Sequence, residues 1–385
     1  MRLFHTADWH LGKLVQGVYM TDDQRYVLDQ FIEAVRLEKS DAVIIAGDLY
    51  DRSVPPTDAV DLLNEVLETI VLKLKTPVLA IAGNHDSPGR LDFGSRIMKA
   101  NGLHIVGQWS QELEPIKLAD SHGEVHFHLV PYAEPGIIRH VFDDDNIKTH
   151  NDAMKAMIGS IQEKMDPAAR HVLVGHAFVT PKGEEQENTS DSERPLSIGG
   201  AEHVDHRLFE PFHYVAEGHL HQAHYVGEEW IRYAGSPMKY SISEEHHQKG
   251  YYTVDLDSEG KITVEKRQLS PRRDVRTVEG TIAEIEQHEI NEDYVFVRLL
   301  DEAPVLAPME KIRAVYPNAM HVEREVAAFS TDQAGIQTME RKKMSPSDLF
   351  KSFYQEVKGN ELSTESEELF AKVLEETAAS EGEHA

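Results

Sequence analysis

Apolar runs that stop abruptly on polar side chains recur along this chain. The first, in MRLFHTAD, has the length of a short strand and ends at Asp8. Val27, Leu28, Phe31, Ile32 and Val35 then repeat at roughly 3.6-residue spacing, which predicts an amphipathic helix. Thr21 and Gln24 offer a capping box at its start. DAVIIAGD is a continuous β-branched run, the pattern of a strand buried on both faces. Thr57 opens a second helix, with Val60, Leu63, Leu67, Ile70 and Leu74 on one face, and PVLAIAGNHD is the next strand. This strand–helix alternation predicts parallel strands joined by crossover helices, an α/β fold.

Beyond about residue 100 the strands EVHFHLVPY, RHVLVGHAF, YVAEGHLH, EWIRYAGSP and GYYTVDLD continue the unit, which closes near residue 270. Residues 181–203 are polar and contain glycine, a long loop beside the strand ends, where long loops are usually functional. From RRDVRTVEG onward the pattern is strand, helix, strand, helix, strand, a small α+β module over 271–327 followed by a linker to 339. Ser345-Pro346-Ser347-Asp348 starts a helix carrying Leu349, Phe350, Phe353, Tyr354 and Val357, and Gly359-Asn360 stops it. Thr364 with Glu367 starts another, with Leu369, Phe370, Val373 and Leu374. The expected division is 1–270, 271–339 and 340–385.

Composition narrows the chemistry. An apolar content of 40 % supports a real core. The absence of cysteine excludes disulfides and thiolate metal sites. No apolar run approaches the roughly 18 residues of a membrane helix, and MRLFHTADWH lacks the apolar region of a signal peptide. The expectation is a soluble cytoplasmic protein with no membrane partner. The net charge of −28 argues against a broad basic nucleic-acid surface, while 22 histidines point toward metals that would supply positive charge locally.

The strand ends carry the chemistry. HTADWH, IIAGD, AIAGNHD, LVGH and AEGHLH all finish on ligand-type side chains: Asp8, His10, Asp48, Asn84, His85, His176, His219 and His221. In an open α/β sheet, ligands bind outside the carboxyl ends of the strands. A single Gly-Asp or Gly-His is an ordinary turn; five such endings in one α/β unit are not five independent turns. The donors are all oxygen and nitrogen, which suits Mn²⁺, Fe²⁺ or Zn²⁺, with Mg²⁺ less favoured by the imidazoles. So many donors exceed one tetrahedral ion and suit two ions sharing a carboxylate, the two-metal clamp for displacement at phosphorus. His126, His128, His203, His206, His213, His246 and His247 lack the Gly-ended strand context and read as surface or satisfied core.

Asp8-Trp9-His10, Gly47-Asp48-Leu49-Tyr50-Asp51, Gly83-Asn84-His85-Asp86, Gly175-His176 and Gly218-His219-Leu220-His221 resemble the five signature motifs of the calcineurin-like metallophosphoesterases. TADWHLG, GDLYDRSVPP, GNHDSPGRL and SERPLSIGG narrow the resemblance to the nuclease branch, the bacterial SbcC–SbcD family related to the eukaryotic Mre–Rad machinery. The resemblance implies a sheet sandwich flanked by helices, a small α+β capping domain and C-terminal helices. It implies that Asp8, His10 and His221 hold one metal, Asn84, His176 and His219 the other, and that Asp48 bridges them. The ions would be Mn²⁺, with Mg²⁺ or Fe²⁺ as alternatives. His85 would face the scissile phosphate, and Asp51 would hold His85 in its working tautomer.

Lys13, Arg52 and Arg90 follow the metal motifs and are placed to contact a DNA backbone. The chain has no phosphate-binding Gly-rich loop ending in Lys-Ser or Lys-Thr, so ATP-driven opening of DNA must come from elsewhere. The resemblance supplies SbcC, an ATPase with a long coiled coil, as partner, gripped by the terminal helices. It also implies self-association and a nucleoid-associated location. The expected activity is ATP-dependent double-strand 3′→5′ exonuclease and single-strand or hairpin endonuclease, in DNA repair, recombination and replication. The same donor set would equally serve a phosphatase or phosphodiesterase for nucleotides or phosphoproteins; a non-catalytic DNA-end scaffold would have no need of it.

Overall fold

A computed structural model describes residues 1–181, 190–193, 203–324, 346–358 and 362–374, the last stretch without 365 and 368. Most of the polar loop at 181–203, the predicted linker and the Gly359-Asn360 stop lie outside the described residues.

Two six-stranded sheets form the large unit. The first sheet takes β1 (Arg2–Thr6), β2 (Ala42–Ile45), β3 (Val78–Ile81) and β4 (Leu103–Val106) from the start of the chain. The second takes β5 (Ile116–Asp120), β6 (Gly123–Leu129), β7 (Arg170–His176), β8 (Tyr214–Gly218), β9 (His224–Val226) and β10 (Glu228–Tyr233). The chain then returns to the first sheet with β11 (Gly250–Leu256) and β12 (Ile262–Gln268). The orders are β12-β11-β1-β2-β3-β4 and β9-β10-β8-β7-β6-β5. Strands β1 to β4 are parallel, as are β6, β7 and β8.

The unbroken apolar run of β2 has a direct cause. Val43 and Ile45 face the cluster that α1 (Thr21–Glu38) and α2 (Thr57–Leu67) cover, while Ala42 and Ile44 face the second sheet, packing with Phe127, Val172 and Val174. Both faces are dry, so alternation disappears. A third cluster buries the outer face of the second sheet under the helix His150–Gln162. The result is helices, sheet, sheet, helices. Among the described residues no helix is long and apolar enough to cross a membrane.

Two expectations about the early helices change. The cap of α1 is Met20 with no side-chain bond, and the Thr21 hydroxyl is buried without a hydrogen-bond partner. Gln24 is drawn away from the helix end to the loop after β1, which offers it better partners than a cap would (below). On α2, Val60 is 41 % exposed. The buried stripe runs through Ala59, Leu62, Leu63, Val66 and Leu67, because the small Ala59 faces the sheet where the spacing favours a larger residue.

The small module is a parallel three-stranded sheet, β13 (Val275–Gly280), β14 (Tyr294–Leu299) and β15 (His321–Arg324), with short helices at Ile282–Ile285 and Pro308–Arg313 and its own core. The helix Pro346–Lys358 follows.

A histidine cluster in the second sheet makes the fold acid-sensitive. His171 Nε2–H donates to the Asp166 carbonyl (2.9 Å), so its Nδ1 accepts from His128 Nε2–H (3.0 Å), while the His171 amide donates to His213 Nδ1 (2.9 Å). An imidazole that accepts is neutral, so His171 and His213 are neutral in this arrangement. Burial lowers all three below the ordinary histidine value, His128 to about 3. The unfolded chain binds protons that the fold refuses, so stability is complete above about pH 6.5 and declines as pH falls toward 3. His128 alone should contribute a loss of about 2 kcal/mol between roughly pH 7 and pH 5. Urea unfolding at the two pH values checks this, and His128→Gln should flatten the difference.

Candidate metal centre

All five motif strands end at one rim. Asp8 and His10 follow β1, Asp48 follows β2, Asn84 and His85 follow β3, His176 ends β7, and His219 and His221 follow β8. The loops are laced by main-chain bonds: Asp8 N–H donates to the Gly47 carbonyl (3.1 Å) and His10 N–H to that of Asp48 (2.9 Å). Asp8, His10, Asp48 and His219 have φ of 53°, 46°, 51° and 104°. Such left-handed backbone is costly for residues with a Cβ, of order 1–3 kcal/mol each, and persists where the surroundings impose it at functional sites. Two glycines leave room for the side chains. A Cβ on Gly83 would stand 2.1 Å from Asp48 Oδ1, and one on Gly47 would stand 2.2 Å from His176 Nδ1.

The side chains converge. Asp8, His10 and His221 form one compact buried group, and Asp8, Asp48 and His176 another, the candidate donor atoms of each lying within 4.8 Å. Asp48 Oδ2 lies 3.6 Å from both His10 Nε2 and His176 Nε2, spanning the two halves. His10 Nε2 and His221 Nε2 face each other at 3.0 Å, and His176 Nε2 faces Asn84 Oδ1 at 3.0 Å. The His219 ring stands 5.5 Å from that of His176, and the His219 amide donates to both oxygens of Asp8 (2.9 and 3.1 Å).

The electrostatics suit cations. Burial, then the nearby Asp48 carboxylate, pushes Asp8 well above the usual carboxylate range. Burial, then neighbouring imidazoles, pushes His10 and His219 well below the usual histidine value, and burial lowers His176. Neutral imidazoles and crowded carboxylates on one point are what divalent ions need. Buried His10 Nδ1 has no hydrogen-bond partner. This all-O,N donor set fits two such ions.

His85 sits beside this group, its ring 4.6 Å from that of His10 and its amide on Asp48 Oδ1 (2.9 Å). Asp51 meets His85 through its main chain. His85 Nδ1 bonds the Asp51 main-chain carbonyl at 2.8 Å, while the Asp51 carboxylate pairs with Lys13 Nζ at 2.8 Å and lies 3.7 Å from His10 Nδ1. The turn that follows β2 aims the Asp51 carbonyl at His85 and keeps its carboxylate within 4.8 Å of donor nitrogens of His10 and His85. Lys13 pairs with the Asp51 carboxylate, and its side chain is mostly covered. Arg52 and Arg90 are exposed.

Several supporting residues are not singled out by their sequence pattern. Asp86 accepts from the amides of Leu49 (3.1 Å), Tyr50 (3.0 Å) and Gly83 (3.0 Å), pinning the second and third motif loops together. Glu244 accepts from His221 Nδ1 (3.0 Å) and pairs with buried Lys249 (2.5 Å), and Glu193 accepts the His221 amide (2.7 Å). A carboxylate behind a histidine fixes the ring's tautomer and direction. Asp86 stands in the motif Gly83-Asn84-His85-Asp86 and Glu193 in the phrase SERPLSIGG; Glu244 lies in an unremarkable polar stretch.

The chain matches the family model described as calcineurin-like phosphoesterase over residues 1–223, and that described as type 5 capsule protein repressor C-terminal domain over residues 271–358. The SbcD component of the SbcCD nuclease from Staphylococcus saprophyticus is 34 % identical over 378 residues, 97 % of this chain and 98 % of that one. The component of the same name from Staphylococcus epidermidis is 34 % identical over 367 residues, 94 % and 95 % of the two chains. A solved dimetal phosphatase from Danio rerio aligns with a TM-score of 0.41 and 13 % identity over 70 % of this chain and 96 % of that one, too loosely to inform the site. With the rim geometry and full-length relatives in agreement, the chain belongs to the SbcD family of nuclease components, hydrolases built on a calcineurin-like phosphoesterase domain.

Proposed function

We propose that this chain hydrolyses DNA phosphodiester bonds at a dinuclear centre, with Asp8, His10 and His221 holding one ion, Asn84, His176 and His219 the second, and Asp48 both. Mn²⁺ is the ion of choice for this mix of imidazole and carboxylate, with Fe²⁺ or Mg²⁺ as alternatives. Such ions supply Lewis-acid polarisation of a phosphoryl oxygen and a nucleophile at neutral pH. His85 does the chain's own proton work. Its Nδ1–H stays on the Asp51 carbonyl in either protonation state, so Nε2 is the atom left to stabilise or protonate the leaving oxygen. Exposed Arg52 and Arg90 are the backbone contacts. The observation that supports this reading most is the arrival of eight predicted residues, from five separate loops, at one rim.

With the ATPase partner SbcC, we assign ATP-dependent 3′→5′ exonuclease on duplex and endonuclease on single strands and hairpins, in repair, recombination and replication, in the cytoplasm at the nucleoid. The test is Mn²⁺ with a labelled DNA hairpin, with and without SbcC and ATP, beside a chromogenic phosphomonoester. Hairpin cleavage supports the assignment. Monoester turnover without DNA cutting under any condition would replace it with a phosphatase.

The terminal helices are the proposed grip on SbcC. Phe350 stacks on Phe370 at 3.9 Å and Lys351 pairs with Glu367 at 3.0 Å, yet Leu349, Phe353, Leu369 and Val373 remain 44–65 % exposed. Short helices need such faces covered. Deleting residues 340–385 should abolish co-purification with SbcC and leave Mn²⁺ uptake intact; unchanged co-purification would remove this assignment. For self-association we assign the exposed apolar side chains of Phe93 and Ile97, 85 % and 77 % accessible.

A further inference from the structure

The first turn of α1 reaches in two directions. Gln24 is 1 % exposed and lies beneath the loop that carries His10. Its Oε1 accepts the Gly12 amide (3.1 Å), and its two Nε2 hydrogens are shared, one of them bifurcated, among the carbonyls of Trp9 (3.0 Å) and His10 (2.8 Å) and the Tyr240 hydroxyl (3.0 Å). Tyr240 in turn donates to the Trp9 carbonyl (2.5 Å) and sets its ring edge-on, 5.7 Å from that of His10. These bonds satisfy buried carbonyls that the left-handed turn at His10 takes out of any sheet ladder. Main-chain bonds hold the rest of the turn, from the His10 amide to the Asp48 carbonyl and from the Lys13 amide to the His10 carbonyl, while the Trp9 carbonyl is met by Gln24 and Tyr240.

Asp23, the next residue back, is equally buried and points to the small module. It accepts from Tyr294 Oη (2.5 Å), at the start of β14, and from Arg273 Nη1 (3.1 Å), just before β13. Arg272 lies 3.7 Å away. A shared apolar cluster joins the two sides, with Met20, Val27 and Tyr240 packed against Val275, Tyr294 and Met320. One helical turn thus bonds the module with one side chain and the His10 loop with the next, and Tyr240 belongs to both contacts.

We infer that Gln24 and Tyr240 are positioning residues for the His10 turn, and that Asp23 couples this support to the seating of the small module. This rests on the dinuclear reading above. Displacing the module is transmitted to the half of the centre that holds Asp8, His10 and His221. The half with Asn84, His176 and His219 has its own supports, among them the Ala46 carbonyl, which takes His176 Nδ1 at 2.9 Å.

Mn²⁺ titration of the full-length chain, followed by calorimetry and by electron paramagnetic resonance, tests this. Wild type should take up two ions with a spin-coupled signal. Gln24→Met, close in shape but unable to make the four bonds, should lose about tenfold to a hundredfold in affinity at one site only, the range seen when supports of metal ligands are removed. The signal should become that of isolated Mn²⁺. Adding His221→Ala to this variant should change little, whereas adding His176→Ala should remove the remaining ion. Asp23→Asn should weaken the same site by a smaller factor and raise hydrogen exchange in β13 and β14. Gln24→Met that binds both ions like wild type, or loses both equally, would overturn the inference. Asp23→Asn with faster exchange but unaltered Mn²⁺ binding would overturn the coupling. A wild type that takes up no Mn²⁺ would instead overturn the dinuclear reading itself.

Discussion

Asp48→Asn is expected to abolish uptake of both metal ions and to bring DNA cleavage to background. Asp48 is the carboxylate that reaches both halves of the centre, 3.6 Å from His10 Nε2 and 3.6 Å from His176 Nε2. Removing its charge leaves each half with a weaker donor set and no shared ligand. Asparagine tolerates the left-handed φ of 51° found here, so the turn should persist. The variant also relieves the repulsion between Asp48 and buried Asp8 in the metal-free chain. Its melting temperature without metal should therefore equal or exceed that of wild type. The stabilisation that Mn²⁺ gives wild type by binding only the folded state should vanish. Thermal melts with and without Mn²⁺, with calorimetric titration, measure both effects. Retention of two tightly bound ions would show that Asp48 bridges nothing.

His85→Ala is expected to separate chemistry from metal binding. The His85 ring lies beside the donor groups, and its Nδ1 is occupied by the Asp51 carbonyl. Truncation removes the Nε2 atom assigned to the leaving oxygen and leaves the seven donors in place. Two Mn²⁺ should bind with near-wild-type affinity, while cleavage falls by about 10²–10⁴-fold, the usual contribution of a positioned acid or base. Single-turnover cleavage of a labelled hairpin, beside Mn²⁺ titration, reads the two quantities independently. Normal cleavage would move the proton-transfer role to another residue. Asp51→Ala should be much milder for orientation, because the bond to His85 comes from its main chain. Its side chain instead holds Lys13.

The contrast between His85 and Asp51 marks where sequence reasoning succeeds here. A residue type at the end of an apolar run announces that a polar atom reaches the sheet rim, and eight residues are legible that way. Which atom of Asp51 meets His85 depends on the rotation of one loop, which no spacing encodes. Gln24 reads as a helix cap because it stands three residues after Thr21. The folded chain instead puts the buried carbonyls of Trp9 and His10 above it, and burial makes those bonds more valuable than a solvated cap. Glu244 is invisible for a similar reason. A buried carboxylate and an exposed one look identical in a row of letters, and only contact with Lys249 and His221 distinguishes them.

The alternation of strands and helices along the chain, the switch from two-sided burial to helical periodicity, and the placement of the donor residues at strand ends all follow from patterns a few residues long, because pleat, helical pitch and turn chemistry are local. Joining those donors is not local. His10 and His221 are 211 residues apart in the chain, and His176 and Asn84 are 92 apart. Their meeting requires two sheets to pack face to face with their carboxyl ends on the same side. It then requires strained turns, held by Asp86, Gln24 and Tyr240, to point each ring inward. That geometry is set by burial and by the need to satisfy every main-chain group inside the fold, and those demands exist only once the chain has closed on itself.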